Sequence, residues 1–201
     1  MWRWRLRLPL SEVQRRIAAG LIGLAGSSTQ LEAPLDPESS WAAVAVIVAP
    51  EPDAVLLIRR AERAGDPWSG HIGLPGGRLD PADQDLSQTA LRETSEEIGW
   101  QLDSQRLLGT LPDVWPRTPL PRLIVVRPFV FAAAERTELV LSDEVAEAFW
   151  APVSELRDPA IYRETVIELQ DERRGFPAFH LGPHIIWGLT ERILTPLLAM
   201  V

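Results

Sequence analysis

The sequence contains no cysteine and no lysine. Without cysteine there can be no disulfide bond, no thiolate nucleophile and no zinc–thiolate site. Only three histidines are present, which argues against a histidine-rich metal cage. Because lysine is missing, the strongly cationic side chains are all arginines, and arginine suits bidentate contacts to phosphate.

Long apolar runs are also missing, since none approaches the roughly 20 residues needed to cross a bilayer. The formal net charge of −8 argues against a nucleic-acid or anionic-membrane partner. It does not exclude a small anionic substrate, because local arginines or bound cations reverse the field inside a cleft. The opening MWRWRLRLPL predicts an arginine-rich arm at the edge of the fold. The cytoplasm is the default location that these features predict.

The length of 201 residues is sufficient for one domain with a sizeable core. Residues 1–37 are predicted to form an N-terminal arm, a helix and a linker, and residues 38–201 the main domain. Apolar residues at helical spacing predict the helix over 11–25. The polar stretch at 26–40, rich in glycine, serine and proline, predicts the linker.

The main domain alternates between strand and helix patterns. Short apolar runs bounded by turn residues predict strands at 41–48, 54–58, 107–111, 123–131 and 138–141. A long loop at 59–83 precedes a predicted helix at 85–98, and a second helix at 185–200 closes the chain. Residues 142–156 are expected to form a turn, a short strand and a helical turn, and 157–180 to be irregular. This mixture predicts an α/β (α+β) sandwich.

Three glutamates of the predicted helix at 85–98 fall on one face. Glu93, Glu96 and Glu97 have the spacing i, i+3 and i+4, at which like charges repel one another. Carboxylate oxygens at this spacing suit Mg²⁺ or Mn²⁺. The alternative from the triplet alone is a solvated acidic face. The preceding Gly76 and Gly77 favour the metal site, because a tight glycine turn lets the backbone approach a ligand.

Together these residues resemble the Nudix box, whose pattern is G-x5-E-x7-R-E-U-x-E-E-x-G-U with U apolar. The matching residues are Gly77, Arg92, Glu93, Glu96, Glu97, Gly99 and Trp100. The resemblance implies a Nudix α/β/α sandwich with a mixed sheet, a loop–helix–loop motif and a C-terminal helix. It also implies a metal-dependent diphosphatase that cleaves a nucleoside diphosphate derivative.

The chain departs from the Nudix box at two places. Thr94 replaces an aliphatic residue, and the box glutamate is absent because Gly77 lies one residue too far from Arg92. Asp83 or Asp85 could replace that glutamate as the partner of Arg92, and Asp83 is preferred. We therefore expect Asp83 to stabilise the box.

This one-residue expansion is similar to the coenzyme A pyrophosphatase branch of the Nudix family. The branch pattern PGG-x5-D-x5-TALRE matches Pro75-Gly76-Gly77, Asp83 and Thr89-Ala90-Leu91-Arg92-Glu93. Its upstream signature also matches at Leu56-Leu57, Arg60-Ala61 and Gly70. The resemblance implies coenzyme A or an acyl-coenzyme A as substrate, cleaved to 3′,5′-ADP and a phosphopantetheine.

The resemblance also implies roles for individual residues. Glu93, Glu96 and Glu97 would bind Mg²⁺ or Mn²⁺, with the carbonyl of Gly76 as a further ligand. Arg92 would orient this cluster. The general base is left open between Glu97 and Glu144.

Four arginines flank the glycine turn in sequence and are candidates for substrate binding: Arg59, Arg60, Arg63 and Arg78. One of them could bind the 3′-phosphate that distinguishes coenzyme A. Three tryptophans, Trp68, Trp115 and Trp187, could stack on the adenine or line the pantetheine channel, although packing in the core or at an interface is the commoner role.

Other readings of the resemblance stay open. An ADP-ribose hydrolase often has a proline 16 positions after the box, where this chain has Pro116, but the surrounding stretch is rich in proline. A catalytically inactive Nudix binding module is disfavoured because all three glutamates are present. The expected partner is a small nucleotide. The N-terminal arm or the C-terminal helix could supply the interface of a homodimer.

Overall fold

The computed structural model describes residues 9–25, 40–65, 68–116, 123–169 and 172–201. The helices are α1 (Glu12–Ala25), α2 (Leu86–Ile98), α3 (Val153–Leu156) and α4 (Gly188–Leu198). The strands are β1 (Ser40–Ala49), β2 (Ala54–Arg60), β3 (Ile72–Gly73), β4 (Gly76–Arg78), β5 (Leu107–Thr110), β6 (Ile124–Ala132), β7 (Val145–Pro152), β8 (Tyr162–Leu169), β9 (Glu172–Leu181) and β10 (His184–Trp187). Most of the predicted basic arm and linker lies outside the described residues.

Within these residues, the larger sheet has the order β3-β2-β1-β6-β5, with β4 also paired to β1 and β7 to β2. Strands β1 and β6 are parallel, and the other pairs are antiparallel, so the sheet is mixed. A smaller antiparallel sheet has the order β10-β9-β8.

Strand β1 is an almost continuous apolar run because both of its faces are covered. Ala43 and Ala45 face α2, where their small size lets the helix approach the sheet closely. Val46 and Val48 face the opposite side, in one cluster with residues of α1 and α4. The predicted α/β/α sandwich with a mixed sheet is therefore confirmed.

A fully buried glutamine joins α1 to the sheet. The side-chain nitrogen Nε2 of Gln14 donates to the carbonyl oxygens of Val48 and Ala133, both at 2.8 Å. The carbonyl of Val48 also accepts from the backbone amide of Ala133 at 2.8 Å, so these bonds lie where the ends of β1 and β6 meet. A side chain of α1 thus satisfies two buried polar groups of the sheet.

Replacing Gln14 with alanine should lower the free energy of unfolding by about 2 kcal/mol, because two buried hydrogen bonds to backbone carbonyls are lost. Urea denaturation of the full chain measures this. Gln88→Ala, an exposed position on α2, is the matched control and should change stability by less than about 0.5 kcal/mol. Equal changes in the free energy of unfolding for the two substitutions would show that the Gln14 amide does not stabilise the fold.

Four predictions about secondary structure are wrong. The segment 59–83 is not one long loop, because it contains the end of β2 and the short strands β3 and β4. The segment 138–141 is not a strand; instead, the amide of Val140 donates to the carbonyl of Ile98 and covers the end of α2. The segment 157–180 is not irregular, because β8 pairs with β9 along the whole length of β8. The closing helix begins at Gly188 rather than 185, since the residues before it form β10.

Among the described residues, no helix is long and apolar enough to cross a membrane.

Candidate active site

Helix α2 carries the three glutamates, and local sequence determines where it begins and ends. Asp85 caps the N-terminus, with its side chain accepting from the amide of Gln88 at 2.9 Å. Gly99 ends the helix in the left-handed region at φ 68°, and its amide donates to the carbonyl of Ser95 at 3.0 Å. The helix bounds agree with those predicted from the sequence to within one residue.

The side chain of Arg92 is the centre of a hydrogen-bonded network at the site. Its Nε and Nη2 donate to the two carboxylate oxygens of Asp83, each at 3.0 Å. Its Nη1 donates to both Glu93 and Glu96 at 2.9 Å, and Nη2 also donates to the carbonyl of Arg78 at 3.1 Å. The guanidinium therefore joins α2 to β4 and to the loop that follows it.

The structure pairs Arg92 with Asp83, whereas Asp85 serves as the helix cap. The Asp83 side chain is only 6% exposed. Hydrogen bonds from Arg92 lower its pKa from 3.8 to about 2, against the opposing effect of burial. In return, Asp83 raises the pKa of the Arg92 guanidinium.

This pairing predicts a specific loss of stability in acid. Because the pKa of Asp83 is lower in the folded chain, its contribution is complete above about pH 4 and is lost as the pH falls towards 2. Between pH 6 and pH 3, the wild type should lose about 1 kcal/mol more stability than Asp83→Asn, measured by urea denaturation. Asp158→Asn, at an exposed position, is the control. Parallel pH profiles for wild type and Asp83→Asn would contradict the assignment.

Glu97 is the most deeply buried carboxylate of the site, with 4% of its side chain exposed. The amide of Gly76 donates to its Oε2 at 2.9 Å, and Arg60 Nη1 lies 3.9 Å from its Oε1. Its pKa is raised from 4.5 to about 7, mainly by burial and in smaller part by the charges of Glu93 and Glu144, against the opposing effects of Gly76 and Arg60. A bound cation would offset this repulsion between neighbouring carboxylates.

The two glycines of β4 allow the glutamates to approach the backbone. Gly76 has φ 153°, and a Cβ there would overlap the carbonyl oxygen of Ala43. A Cβ at Gly77 would overlap the carboxylate of Glu93, which therefore lies directly against the strand. Burial raises the pKa of Glu93. Gly77 is thus needed for close contact between β4 and α2, and Gly76 for the close approach of β4 to β1.

Glu144 lies beside this cluster, in the loop before β7. Its charge raises the pKa of both Glu93 and Glu97. The side chain of Arg63 contacts the Glu144 carboxylate at 3.1 Å. The backbone carbonyl of Glu144 accepts from the amide of Ala61 at 2.8 Å. The pairing of β2 with β7 is irregular next to these residues, because the register shifts between Arg59 and Arg60.

The four candidate arginines are not all brought to the carboxylates. Arg60 and Arg63 contact Glu97 and Glu144. Arg59 lies on the opposite face of β2, where its Nε contacts Glu147 at 3.3 Å. Arg78 is exposed on β4, and its carbonyl accepts from Arg92.

Two of the three tryptophans lie in aromatic contacts. The ring of Trp187 contacts His71 and Phe176, with centroid distances of 4.9 Å and 5.2 Å. Trp115 contacts Arg192. The third, Trp68, packs against the core.

The donor chemistry of the cluster fits a divalent cation, since carboxylate oxygens are the ligands that Mg²⁺ and Mn²⁺ prefer. As the side chains stand, however, no three histidine, aspartate or glutamate side chains in the described ranges converge on one point. Arg92 Nη1 contacts both Glu93 and Glu96, and Oε2 of Glu97 is turned towards Gly76. Arg92 contacts only one oxygen of each of the first two carboxylates, and shared binding of a cation requires the three side chains to move closer together.

The sandwich fold and the glutamate helix behind a Gly-Gly strand together define a Nudix domain. A family model described as the NUDIX domain matches residues 40–169. This match covers more than half of the chain, and the chain belongs to the Nudix hydrolase family.

Relatives of this chain include the mitochondrial coenzyme A diphosphatase NUDT8 of Homo sapiens. It is 32% identical over 186 residues, which cover 85% of this chain and 71% of the human protein. An uncharacterized Nudix hydrolase NudL of Pectobacterium atrosepticum is 31% identical over 76% of this chain and 78% of its own length. The resemblance to the coenzyme A branch is thus confirmed at the level of sequence similarity.

A solved structure confirms the fold. The crystal structure of a MutT/nudix family protein from Enterococcus faecalis superposes with a TM-score of 0.57 at 19% identity, covering 93% of this chain and 73% of that one.

Proposed function

We propose that this chain hydrolyses the diphosphate linkage of coenzyme A or an acyl-coenzyme A, giving 3′,5′-ADP and a phosphopantetheine. The observation that carries the reaction type is the carboxylate cluster of α2, which Arg92 joins to the Gly76-Gly77 strand. The substrate is supported by similarity to the human coenzyme A diphosphatase over 85% of the chain.

In this proposal Glu93, Glu96 and Glu97 hold Mg²⁺ or Mn²⁺, with the carbonyl of Gly76 as a further ligand. When bound, the cation neutralises the diphosphate and lowers the pKa of a coordinated water. Arg92 positions the glutamates through its contacts with Asp83 and β4. Arg60, adjacent to Glu97, is placed to bind a phosphate oxygen at the same edge of the cluster.

Glu144 is the better placed of the two candidate bases. Glu97 has its Oε2 engaged by the Gly76 amide and its Oε1 facing Arg60. Glu144 is half exposed, on a loop beside the cluster, and can reach a water molecule from the solvent side. Arg63 restrains its carboxylate. Glu144 therefore takes the proton from the attacking water, while Glu97 remains a ligand.

Replacing Glu144 with glutamine should lower kcat about a hundredfold while leaving the Mn²⁺ affinity within about twofold, because only the base is removed. Steady-state kinetics and Mn²⁺ titration by electron paramagnetic resonance measure the two effects. Asp143→Asn, the neighbouring exposed carboxylate that also contacts Arg63, is the matched control. A hundredfold loss of Mn²⁺ affinity in Glu144→Gln would instead make Glu144 a ligand.

The substrate is tested with a panel of coenzyme A, ADP-ribose, NADH and a nucleoside triphosphate, each with Mg²⁺ and with Mn²⁺. Release of 3′,5′-ADP from coenzyme A, identified by chromatography, is the expected result. Preference for ADP-ribose would keep the reaction type and overturn the substrate. No metal-dependent turnover of any compound would indicate a binding module. The cytoplasmic location and the homodimer stay predictions.

A further inference from the structure

Two exposed carboxylates beside the active-site cluster share one arginine. Nη1 of Arg63 donates to Oε1 of Glu144 at 3.1 Å, and Nη2 donates to Oδ2 of Asp143 at 3.3 Å. The side chain of Asp143 is 93% exposed and that of Glu144 is 48% exposed. Ion pairs in such open positions contribute little to stability, because water screens them and both side chains lose rotamer freedom. A stronger acceptor can therefore displace these carboxylates from Arg63.

The backbone on both sides of this ion pair is held by hydrogen bonds. The amide of Arg63 donates to Oγ of Ser69 at 2.9 Å, and the amide of Ala61 donates to the carbonyl of Glu144 at 2.8 Å. The second of these bonds joins the segment after β2 to the loop before β7. An arginine side chain has several rotatable bonds, so the guanidinium can leave the two carboxylates without movement of the backbone.

The position of Arg63 relates it to the substrate of the proposed reaction. Glu144, the proposed base, lies close enough to Glu93 and Glu97 for its charge to act on both. Three residues before Arg63, the guanidinium of Arg60 lies 3.9 Å from Glu97. A diphosphate held at this cluster therefore lies beside Glu144, and beside the guanidinium that contacts Glu144 in the substrate-free chain.

A diphosphate is a better acceptor for this guanidinium than the two carboxylates are. Arg63 makes one bond to each carboxylate, and both distances exceed the length of about 2.7 to 2.9 Å that is typical of charge-assisted bonds. A phosphate group offers several anionic oxygens, which can accept two parallel N–H groups of the planar guanidinium. Transfer of Arg63 to the substrate would also remove the cation from Glu144.

We propose that the diphosphate group of the substrate displaces Asp143 and Glu144 from Arg63. In the substrate-free chain the guanidinium restrains the base. In the complex it binds phosphate, and Glu144 is then free to accept the proton of the attacking water. Substrate binding and release of the base are thus coupled, and Asp143 competes with the substrate for Arg63. This inference rests on the proposed function, because it takes Glu144 as the base and a diphosphate as the substrate.

The first test measures binding of a diphosphate that is not hydrolysed. Adenosine 5′-(α,β-methylene)diphosphate is titrated into the full chain with Mg²⁺ in a calorimeter. Arg63→Gln should weaken binding about 10- to 30-fold, and Arg63→Lys should lose less because it keeps the charge. Asp143→Asn should tighten binding about two- to threefold, because the competing contact is lost. Effects of the same sign for Arg63→Gln and Asp143→Asn would indicate a structural ion pair and overturn the inference.

A double variant separates exchange of Arg63 from a general loss of negative charge. In the Arg63→Gln background, Asp143→Asn should have no effect on affinity, because no guanidinium remains for which Asp143 competes. Glu62→Gln removes an exposed charge next to Arg63 in sequence and is the matched control, with an expected change of less than about 1.5-fold. Additive effects in the double variant, or equal tightening by Glu62→Gln, would overturn the inference.

Turnover of coenzyme A by the same variants is measured in parallel. Arg63→Gln should raise KM but keep kcat within about threefold of the wild type, because Glu144 is already released. A fall in kcat with unchanged affinity would make Arg63 a fixed support of the base and overturn the inference. Turnover without the opposite effects on binding overturns this inference alone. Opposite effects on binding without turnover support the exchange and overturn the proposed hydrolysis. The absence of both overturns both.

Discussion

Replacing Glu97 with glutamine is expected to lower turnover about a thousandfold and, in the metal-free protein at pH 8, to raise the free energy of unfolding. The first effect follows because Glu97 supplies a carboxylate oxygen to the proposed cation site. The second follows because burial raises the pKa of Glu97 from 4.5 to about 7. A carboxylate that is forced to ionise in a buried site destabilises the fold.

The sign of the pH dependence is defined by this shift. The folded chain binds the Glu97 proton more tightly than the unfolded chain, so the stability contribution of this group is greatest below about pH 4.5. It is lost as the pH rises through about 7. Glutamine does not ionise, and the substitution should therefore stabilise the metal-free chain by about 2 kcal/mol at pH 8 and by little at pH 4.

Urea denaturation at the two pH values with a chelator present, together with turnover of coenzyme A, measures both effects. Glu155→Gln, an exposed carboxylate on α3, is the matched control and should change neither quantity. A Glu97→Gln protein that is equally stable or less stable at pH 8 would show that the glutamate is not strained by its surroundings. Retained turnover would remove Glu97 from the proposed metal site.

Replacing Arg92 with methionine should have the largest effect on stability, lowering the free energy of unfolding by about 3 kcal/mol and abolishing turnover. The substitution removes both hydrogen bonds to Asp83, whose side chain is 6% exposed, and leaves that carboxylate buried without a cation. It also frees Glu93 and Glu96 from the contact that positions them. Arg92→Lys should rescue stability only in part, because a lysine cannot form the bidentate contact.

A double-mutant cycle with Asp83→Asn separates this pair from its surroundings. If the guanidinium and the carboxylate act together, the double variant should be more stable than the sum of the single effects predicts, by about 1 to 2 kcal/mol. Urea denaturation gives the three values. Arg15→Met, which breaks the exposed pair of Arg15 with Glu12, is the control and should cost less than about 1 kcal/mol. Strict additivity of the Arg92 and Asp83 effects would contradict a coupled network.

Much of the site could be predicted from the sequence because its determinants are local. Asp85 and Gly99 define the ends of α2, and the spacing of Glu93, Glu96 and Glu97 places them on one face whatever surrounds the helix. The shift of one residue between Gly77 and Arg92 directed attention to Asp83, and the structure places those two side chains in bidentate contact.

Other features depended on neighbours that are distant in sequence. Residues 157–180 have no apolar alternation strong enough to indicate strands, and they form β8 and β9 because each provides the hydrogen-bonding partner of the other. The run at 138–141 has the composition of a strand, yet it covers the end of α2, where the carbonyl of Ile98 needs a donor. In both places the requirement to pair backbone groups outweighed local propensity.

The sequence by itself determined the class of chemistry, since the glycine turn, the arginine and the three glutamates are contained within 24 consecutive positions, from Gly76 to Gly99. Only the tertiary structure decided which other residues accompany them. Adjacent arginines of β2 are separated to opposite faces because a strand alternates its side chains, so Arg60 lies by Glu97 and Arg59 by Glu147. Trp115 and Arg192 are 77 positions apart, and they meet because α4 packs across the face of the sheet that Val114 joins.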